Sequence, residues 1–178
     1  METRLERCTV RPWREEDVDA LARHANDPTV WRNLRDRFPH PYGREDAVEW
    51  IERCRAEEPG RNFAIVVEGE AVGGIGLEPG SDVFRRTAEI GYWIARPHRG
   101  RGIATEALRA VTEYAFDAFD LDRLTALVFE WNPASARVLE KAGYSQEGRM
   151  RRAVVKEDRV GDVLVYGRLA DEPREEPT

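Results

Sequence analysis

Residues 96–104 read Arg96-Pro97-His98-Arg99-Gly100-Arg101-Gly102-Ile103-Ala104, and no acidic side chain occurs from Ile90 to Thr105 although the whole chain carries a net charge of −6. Gly100 and Gly102 permit a tight turn and a close approach of backbone to ligand. The stretch that follows reads as a helix, so its unbonded first N–H groups and positive dipole end face the same loop. Concentrated positive charge, exposed backbone donors and a helix start together suit a phosphate or pyrophosphate. The plain alternative is a solvated Arg/Gly turn whose glycines serve only chain reversal.

Three nucleotide-type patterns compete for this loop. A P-loop requires Gly-Lys-Ser/Thr at the helix start, which Gly102-Ile103-Ala104 does not supply. A dinucleotide fingerprint finds Gly100 and Gly102 but meets Thr105 at its third glycine. Asp120 lies about where a ribose-binding acid belongs, yet the chain lacks the further β-α-β units of a doubly wound sheet. The third pattern, Arg/Gln-x-x-Gly-x-Gly/Ala, is met by Arg99, Gly102 and Ala104.

The elements that must position this loop follow from periodicity. Residues 5–10 predict a strand. Residues 17–26 predict a helix with Val18, Leu21, Ala22 and Ala25 on one stripe, stopped by Asp27-Pro28. A second helix over 44–55 places Ala47, Trp50, Ile51 and Cys54 on its buried face. Residues 63–67 and 71–77 form a hairpin about Gly69, and a third strand over 88–95 runs into the loop. The best helix, 102–119, is followed by a buried strand at 124–129, a short helix opened by Asn132-Pro133 and closed by Gly143, and two last strands near 144–155 and 160–169. The order β-α-α-β-β-β-α-β-α-β-β is that of an α/β (α+β) fold. It predicts one domain over 1–169 with a mostly antiparallel mixed sheet of about seven strands and one parallel β-α-β crossover. Residues 170–178 read as an acidic, disordered tail, and their four acids against one arginine hold half of the net charge.

Composition narrows the classes. With 41% hydrophobic and 35% charged residues the chain can bury a core. No apolar run of membrane-spanning length and no signal-peptide pattern is found, so no membrane partner and a cytoplasmic location are expected. Two cysteines and three histidines without ligand spacing argue against a metal site. The excess of arginine over lysine fits either codon usage or phosphate binding, and overall acidity argues against nucleic acid as partner.

The stretches Ala88-Glu89-Ile90-Gly91-Tyr92-Trp93-Ile94, Arg99 to Leu108, and Asn132-Pro133-Ala134-Ser135-Ala136-Arg137-Val138-Leu139-Glu140-Lys141-Ala142-Gly143-Tyr144 resemble the Gcn5-related N-acetyltransferase (GNAT) family. They are most similar to the branch with the ribosomal-protein N-terminal acetyltransferases, over about 5–169. The resemblance implies acetyl-CoA (coenzyme A) as acetyl donor. It implies that the strands around 89–94 and 124–129 splay apart to admit the pantetheine arm, and that Arg99, Gly100, Arg101, Gly102, Ile103 and Ala104 hold the pyrophosphate through backbone N–H groups. Backbone near Trp93 and Ile94 would stabilise the oxyanion.

Acetyl transfer needs a deprotonated amine and a proton for the leaving thiolate. Free α-amines titrate near pH 8 and lysine near pH 10.4, so a base matters most for lysine. Glu89 is the first candidate base, or else a salt-bridged strand residue; Glu130 is the second. Many relatives place a tyrosine acid where this chain has Leu139. Ser135 is then the available acid or CoA contact, unless it bonds only to local backbone. Asn132 is expected to cap its helix and touch the pantetheine arm. Trp31, Phe38, His40, Tyr42 and Trp50 are expected as one wall of the acceptor site, with ordinary packing as the alternative. Arg149, Arg151 and Arg152 would meet an acidic substrate or the CoA 3′-phosphate, or simply alternate along a surface strand. The acceptor is a primary amine, either a protein N-terminus or a small molecule, and a homodimer is compatible with the sequence. A catalytically silent CoA-binding module is the competing function, which Leu139 permits.

Overall fold

The computed structural model describes residues 1–173. Its strands are β1 (Thr3–Arg4), β2 (Thr9–Pro12), β3 (Asn62–Val67), β4 (Glu70–Pro79), β5 (Thr87–Ile94), β6 (Arg123–Phe129), β7 (Ser145–Lys156) and β8 (Arg159–Leu169). They form one eight-stranded sheet in the order β1-β2-β3-β4-β5-β6-β8-β7. The helices are α1 (Val18–Ala25), α2 (Pro28–Trp31), α3 (Arg44–Arg55), α4 (Ile103–Ala118) and α5 (Pro133–Lys141). The expected architecture holds, with β5 and β6 parallel through Thr87–Arg123, Ala88–Leu124 and Glu89–Thr125.

Two local differences have physical causes. The single strand expected over 5–10 is instead two short antiparallel strands, β1 and β2, because the Leu5 amide donates to the Cys8 carbonyl at 2.8 Å and turns the chain there. This accounts for eight strands rather than seven. Asp27-Pro28 does stop α1, but it also starts α2. Asp27 accepts from the Thr29 amide at 2.7 Å and Pro28 occupies the first turn, where its missing N–H costs nothing.

The chain gathers into two compact units. The first comprises Met1–Gly76 and Tyr92–Val111. Its helices α1 and α3 turn Leu21, Ala25, Ala47, Ile51 and Cys54 into a core with Trp13, Tyr42, Ala64 and Val66. Burial pushes the thiols of Cys54 and Cys8 up to about 12, which opposes thiolate formation at neutral pH. A buried fork fixes the start of α1: Arg11 donates from Nη1 to Asp17 Oδ2 at 2.7 Å and from Nη2 to Asp17 Oδ1 at 2.9 Å.

The second unit comprises Leu77–Gly91 and the chain from Thr112 onward. Strand β6 pairs antiparallel with β8 from Arg123–Leu169 to Phe129–Val163, and β7 flanks β8 with irregular register at 146–148 and 150–154. Alternation buries Leu124, Ala126 and Val128, while Thr112 and Tyr144 share a buried hydroxyl hydrogen bond of 2.7 Å. The expected tail begins here as a turn. The Leu169 amide donates to Glu172 Oε2 at 3.1 Å and Arg168 Nη2 donates to the Pro173 carbonyl at 2.5 Å. Residues 174–178 lie outside the described residues.

Candidate active site

In the first unit, β5 ends at Ile94 and the buried Ala95 amide donates to the Val72 carbonyl at 2.8 Å, which fixes where the arginine-rich loop departs from the sheet. A single 3₁₀ turn over Arg96–His98 follows, opened by Pro97. Gly100 and Gly102 then adopt φ of +76° and +81°, left-handed conformations that side-chain-bearing residues rarely take. The Glu106 amide donates to the Gly102 carbonyl at 3.1 Å, so α4 winds directly out of the loop. Its first backbone N–H groups precede any intrahelical acceptor. Trp93, Ile94 and Arg99 through Ala104 are thus consecutive parts of one strand–loop–helix corner, as the spacing predicts.

Arg99 behaves differently from a loose surface cation. Its Nε donates to the Ile94 carbonyl at 2.9 Å and its Nη1 donates to Thr29 Oγ1 at 3.0 Å. The guanidinium therefore joins the end of β5 to the first turn of α2. Burial alone would push the Asp27 carboxyl up. Hydrogen bonds from the Thr29 hydroxyl and amide, with the charges of Arg99 and Arg96, outweigh burial and hold it below the usual carboxylate range.

Arg7, far from the loop in sequence, also reaches it. Its amide donates to Glu106 Oε2 at 2.9 Å, its guanidinium pairs with Glu106 and Glu6, and its Cδ and Nε would each lie 3.3 Å from a Cβ built on Gly102. Neither Arg7 nor Thr29 was signalled by a local motif. Asp27-Pro28-Thr29 carried the same cap-and-proline signature that marks Asn132-Pro133. Behind the loop, His98 meets His24 edge to face with ring centroids 6.3 Å apart, and His24 pairs with Glu70, which also accepts from Arg23 Nη2 at 2.7 Å. Burial, with the charges of Arg101 and His24, lowers the His98 pKa, and its Nδ1 is buried without a hydrogen-bond partner.

The expected aromatic wall divides. Phe38 lies 6.3 Å from the Trp93 ring and 4.9 Å from the Tyr42 ring, so this pair does border the end of β5. The Trp93 indole nitrogen itself would be 2.9 Å from a Cβ on Gly74, so only glycine admits the indole there. Trp31 and His40 stack on each other at 5.1 Å. Trp50 packs against the core of α1 and α3 with Arg53 at 5.7 Å over its ring.

In the second unit, Glu89 is half-buried on β5, level with Thr125. Asn132 and Ser135 come together at the start of α5, where the Ser135 amide donates to Asn132 Oδ1 at 3.3 Å. Leu139 is fully buried on the core side of that helix. Glu130 is engaged by Arg149 at 2.6 Å, and Arg149 also meets Asp162 at 2.5 Å. Arg149 is therefore part of an ion-pair triad, whereas Arg151 and Arg152 stand exposed beside it.

The acetyltransferase (GNAT) domain family matches residues 7–145, which take in β2 through α5 and the entire loop. The chain belongs to the GNAT acetyltransferase family. An uncharacterized N-acetyltransferase, p20, of Bacillus licheniformis is 30% identical to this GNAT chain over 170 residues, covering 94% of the chain and 95% of the relative. The ribosomal-protein-serine acetyltransferase of Escherichia coli is 34% identical over 112 residues, 61% of the chain and 60% of the relative. Among solved structures, Mycobacterium smegmatis RimJ in complex with CoA-disulfide superposes with a TM-score of 0.81 at 29% identity, over 94% of the GNAT chain and 84% of RimJ. Among the described residues, no helix is long and apolar enough to cross a membrane, and no cluster of His, Cys, Asp and Glu is arranged to hold a metal ion.

Proposed function

We propose that this acetyltransferase moves the acetyl group of acetyl-CoA to a primary amine. A protein N-terminal α-amine is the favoured acceptor class and a small-molecule amine is the other. The observation that carries the reading is the loop: two left-handed glycines ahead of the sixteen-residue α4, in a stretch without acidic side chains. A diphosphate needs several convergent N–H donors, little competing negative charge and room to approach the backbone, and this corner supplies all three. Arg99, Gly100, Arg101, Gly102, Ile103 and Ala104 are assigned to it through backbone N–H groups. Trp93 and Ile94 are assigned to the thioester end, where a backbone donor can stabilise negative charge on the carbonyl oxygen.

Acetyl-CoA supplies an activated acyl thioester, from which an N–C bond forms as the C–S bond breaks. The chain's own residues handle the protons. Glu89 is assigned to take the proton that the ammonium group must shed, directly or through water, and Ser135 to return one to the thiolate or to contact the cofactor. Asn132 caps α5 and contacts the pantetheine arm. An α-amine, titrating near pH 8, demands less of Glu89 than a lysine near pH 10.4. The name of the Escherichia coli relative, a ribosomal-protein-serine acetyltransferase, supports a protein as acceptor. Leu139, in the place where many relatives carry a tyrosine acid, permits a second reading, a CoA-binding module without turnover.

Incubation with acetyl-CoA and a panel of short peptides and small amines tests the proposal. Each turnover should release one thiol and add one acetyl group to the acceptor amine. CoA binding without acetylation of any amine would establish the second reading.

A further inference from the structure

The geometry points to Arg99 as a positioning residue that couples the cofactor loop to helix α2, in addition to the backbone role proposed for it. This inference rests on the proposed cofactor site. The guanidinium is already committed: Nε to the Ile94 carbonyl at 2.9 Å and Nη1 to Thr29 Oγ1 at 3.0 Å. The backbone amide of Thr29 in turn donates to the side chain of Asp27, the residue that caps α2. A continuous chain therefore runs from the loop backbone through Arg99 and Thr29 to Asp27. Asp27 accepts the Thr29 amide at 2.7 Å through its side chain and the Val30 and Trp31 amides at 2.8 and 3.1 Å through its carbonyl.

Two consequences follow from this wiring. The same guanidinium that steadies α2 also steadies Ile94, so a ligand that orders the loop orders the end of β5 and α2 together. Helix α2 has only four residues, too few to be stable alone, and depends on its cap and on this clamp. Trp31, its last residue, stacks on His40, so the segment that leads towards Phe38 and Trp93 starts from the clamped turn. By reciprocity, anything that orders α2 tightens the loop for its anion by the same factor.

Amide hydrogen exchange with CoA as probe tests the coupling. Saturating CoA should slow exchange of the Val30, Trp31 and Arg32 amides by roughly fivefold or more in the wild type, in addition to protecting 99–104. Thr29→Val keeps the shape and removes the hydroxyl, so the protection of α2 should fall below roughly twofold while CoA still protects the loop. Thr29→Ser restores the hydroxyl and should restore the protection, which a merely structural effect of the threonine methyl would not allow. Undiminished α2 protection in Thr29→Val, or a wild type in which CoA protects 99–104 but leaves α2 unchanged, would overturn the inference. Failure of the wild type to bind CoA at all would instead overturn the proposed function, and the coupling with it.

Discussion

Arg149 Nη2 donates to Glu130 Oε2 at 2.6 Å, so the carboxylate just beyond β6 is held in an ion pair with a residue of β7. The proposed reaction assigns the base to Glu89. Glu89→Gln is expected to lower kcat by about 10²- to 10⁴-fold. Glu130→Gln is expected to change turnover by less than about threefold and stability by no more than about 1 kcal/mol, since the pair is half-exposed. Steady-state kinetics on both variants decides this, and equal losses would move the base assignment to Glu130.

The fork between Arg11 and Asp17 is buried on both sides, with side-chain exposures of 6% and 4%. Removing one partner leaves the other charge buried without compensation. Asp17→Asn is therefore expected to cost about 3–5 kcal/mol in urea unfolding. A loss below about 1 kcal/mol would mean that water reaches the pair.

The two left-handed glycines differ in what surrounds them. A Cβ at Gly100 meets nothing within 4 Å, so Gly100→Ala carries only backbone strain of about 1–3 kcal/mol. A Cβ at Gly102 would also press on the Arg7 side chain at 3.3 Å. Gly102→Ala is expected to unfold at lower urea than Gly100→Ala and to weaken CoA binding more. The reverse order in paired denaturation and binding titrations would contradict the contact with Arg7.

Acid should loosen the corner behind the loop. Folding lowers the His98 pKa by burial and by the charges of Arg101 and His24, against the opposing pull of Glu70 and Glu68. A histidine of this kind favours the folded state above its ordinary pKa of about 6.5, and the contribution is lost progressively as pH falls below that value. Glu70, held below the usual carboxylate range by His24 and Arg23, adds a second loss at still lower pH as it is protonated. Stability measured by urea from pH 7.5 to 5 should therefore decline, and His98→Phe should flatten the decline. An identical slope in His98→Phe would remove His98 as its source.

Much of this fold is legible from local patterns. The stripes of α1, α3 and α4 follow the helical period, and Gly69 marks the hairpin between β3 and β4. The charge inversion from Ile90 to Thr105 exposes the loop itself. The split of β1 from β2 is not legible, because the turn at Leu5 to Cys8 contains no glycine or proline. Helix α2 was obscured because Asp27-Pro28 signals both a stop and a start. The partners of Arg99 and Arg7 lie 70 and 99 residues away, and a motif specifies a loop without specifying where its long side chains reach. Glu130 illustrates the same limit, since its pairing with Arg149 arises only when β7 and β8 fold back on β6.

Docking of the CoA diphosphate on the backbone of 99–104 is decided by amide NMR during a CoA titration. The largest amide shifts should fall on Arg99 to Ala104, and pantetheine, which lacks the diphosphate, should leave those amides largely unmoved. Saturable CoA binding with these amides unshifted, or equal shifts with pantetheine, would place the diphosphate elsewhere.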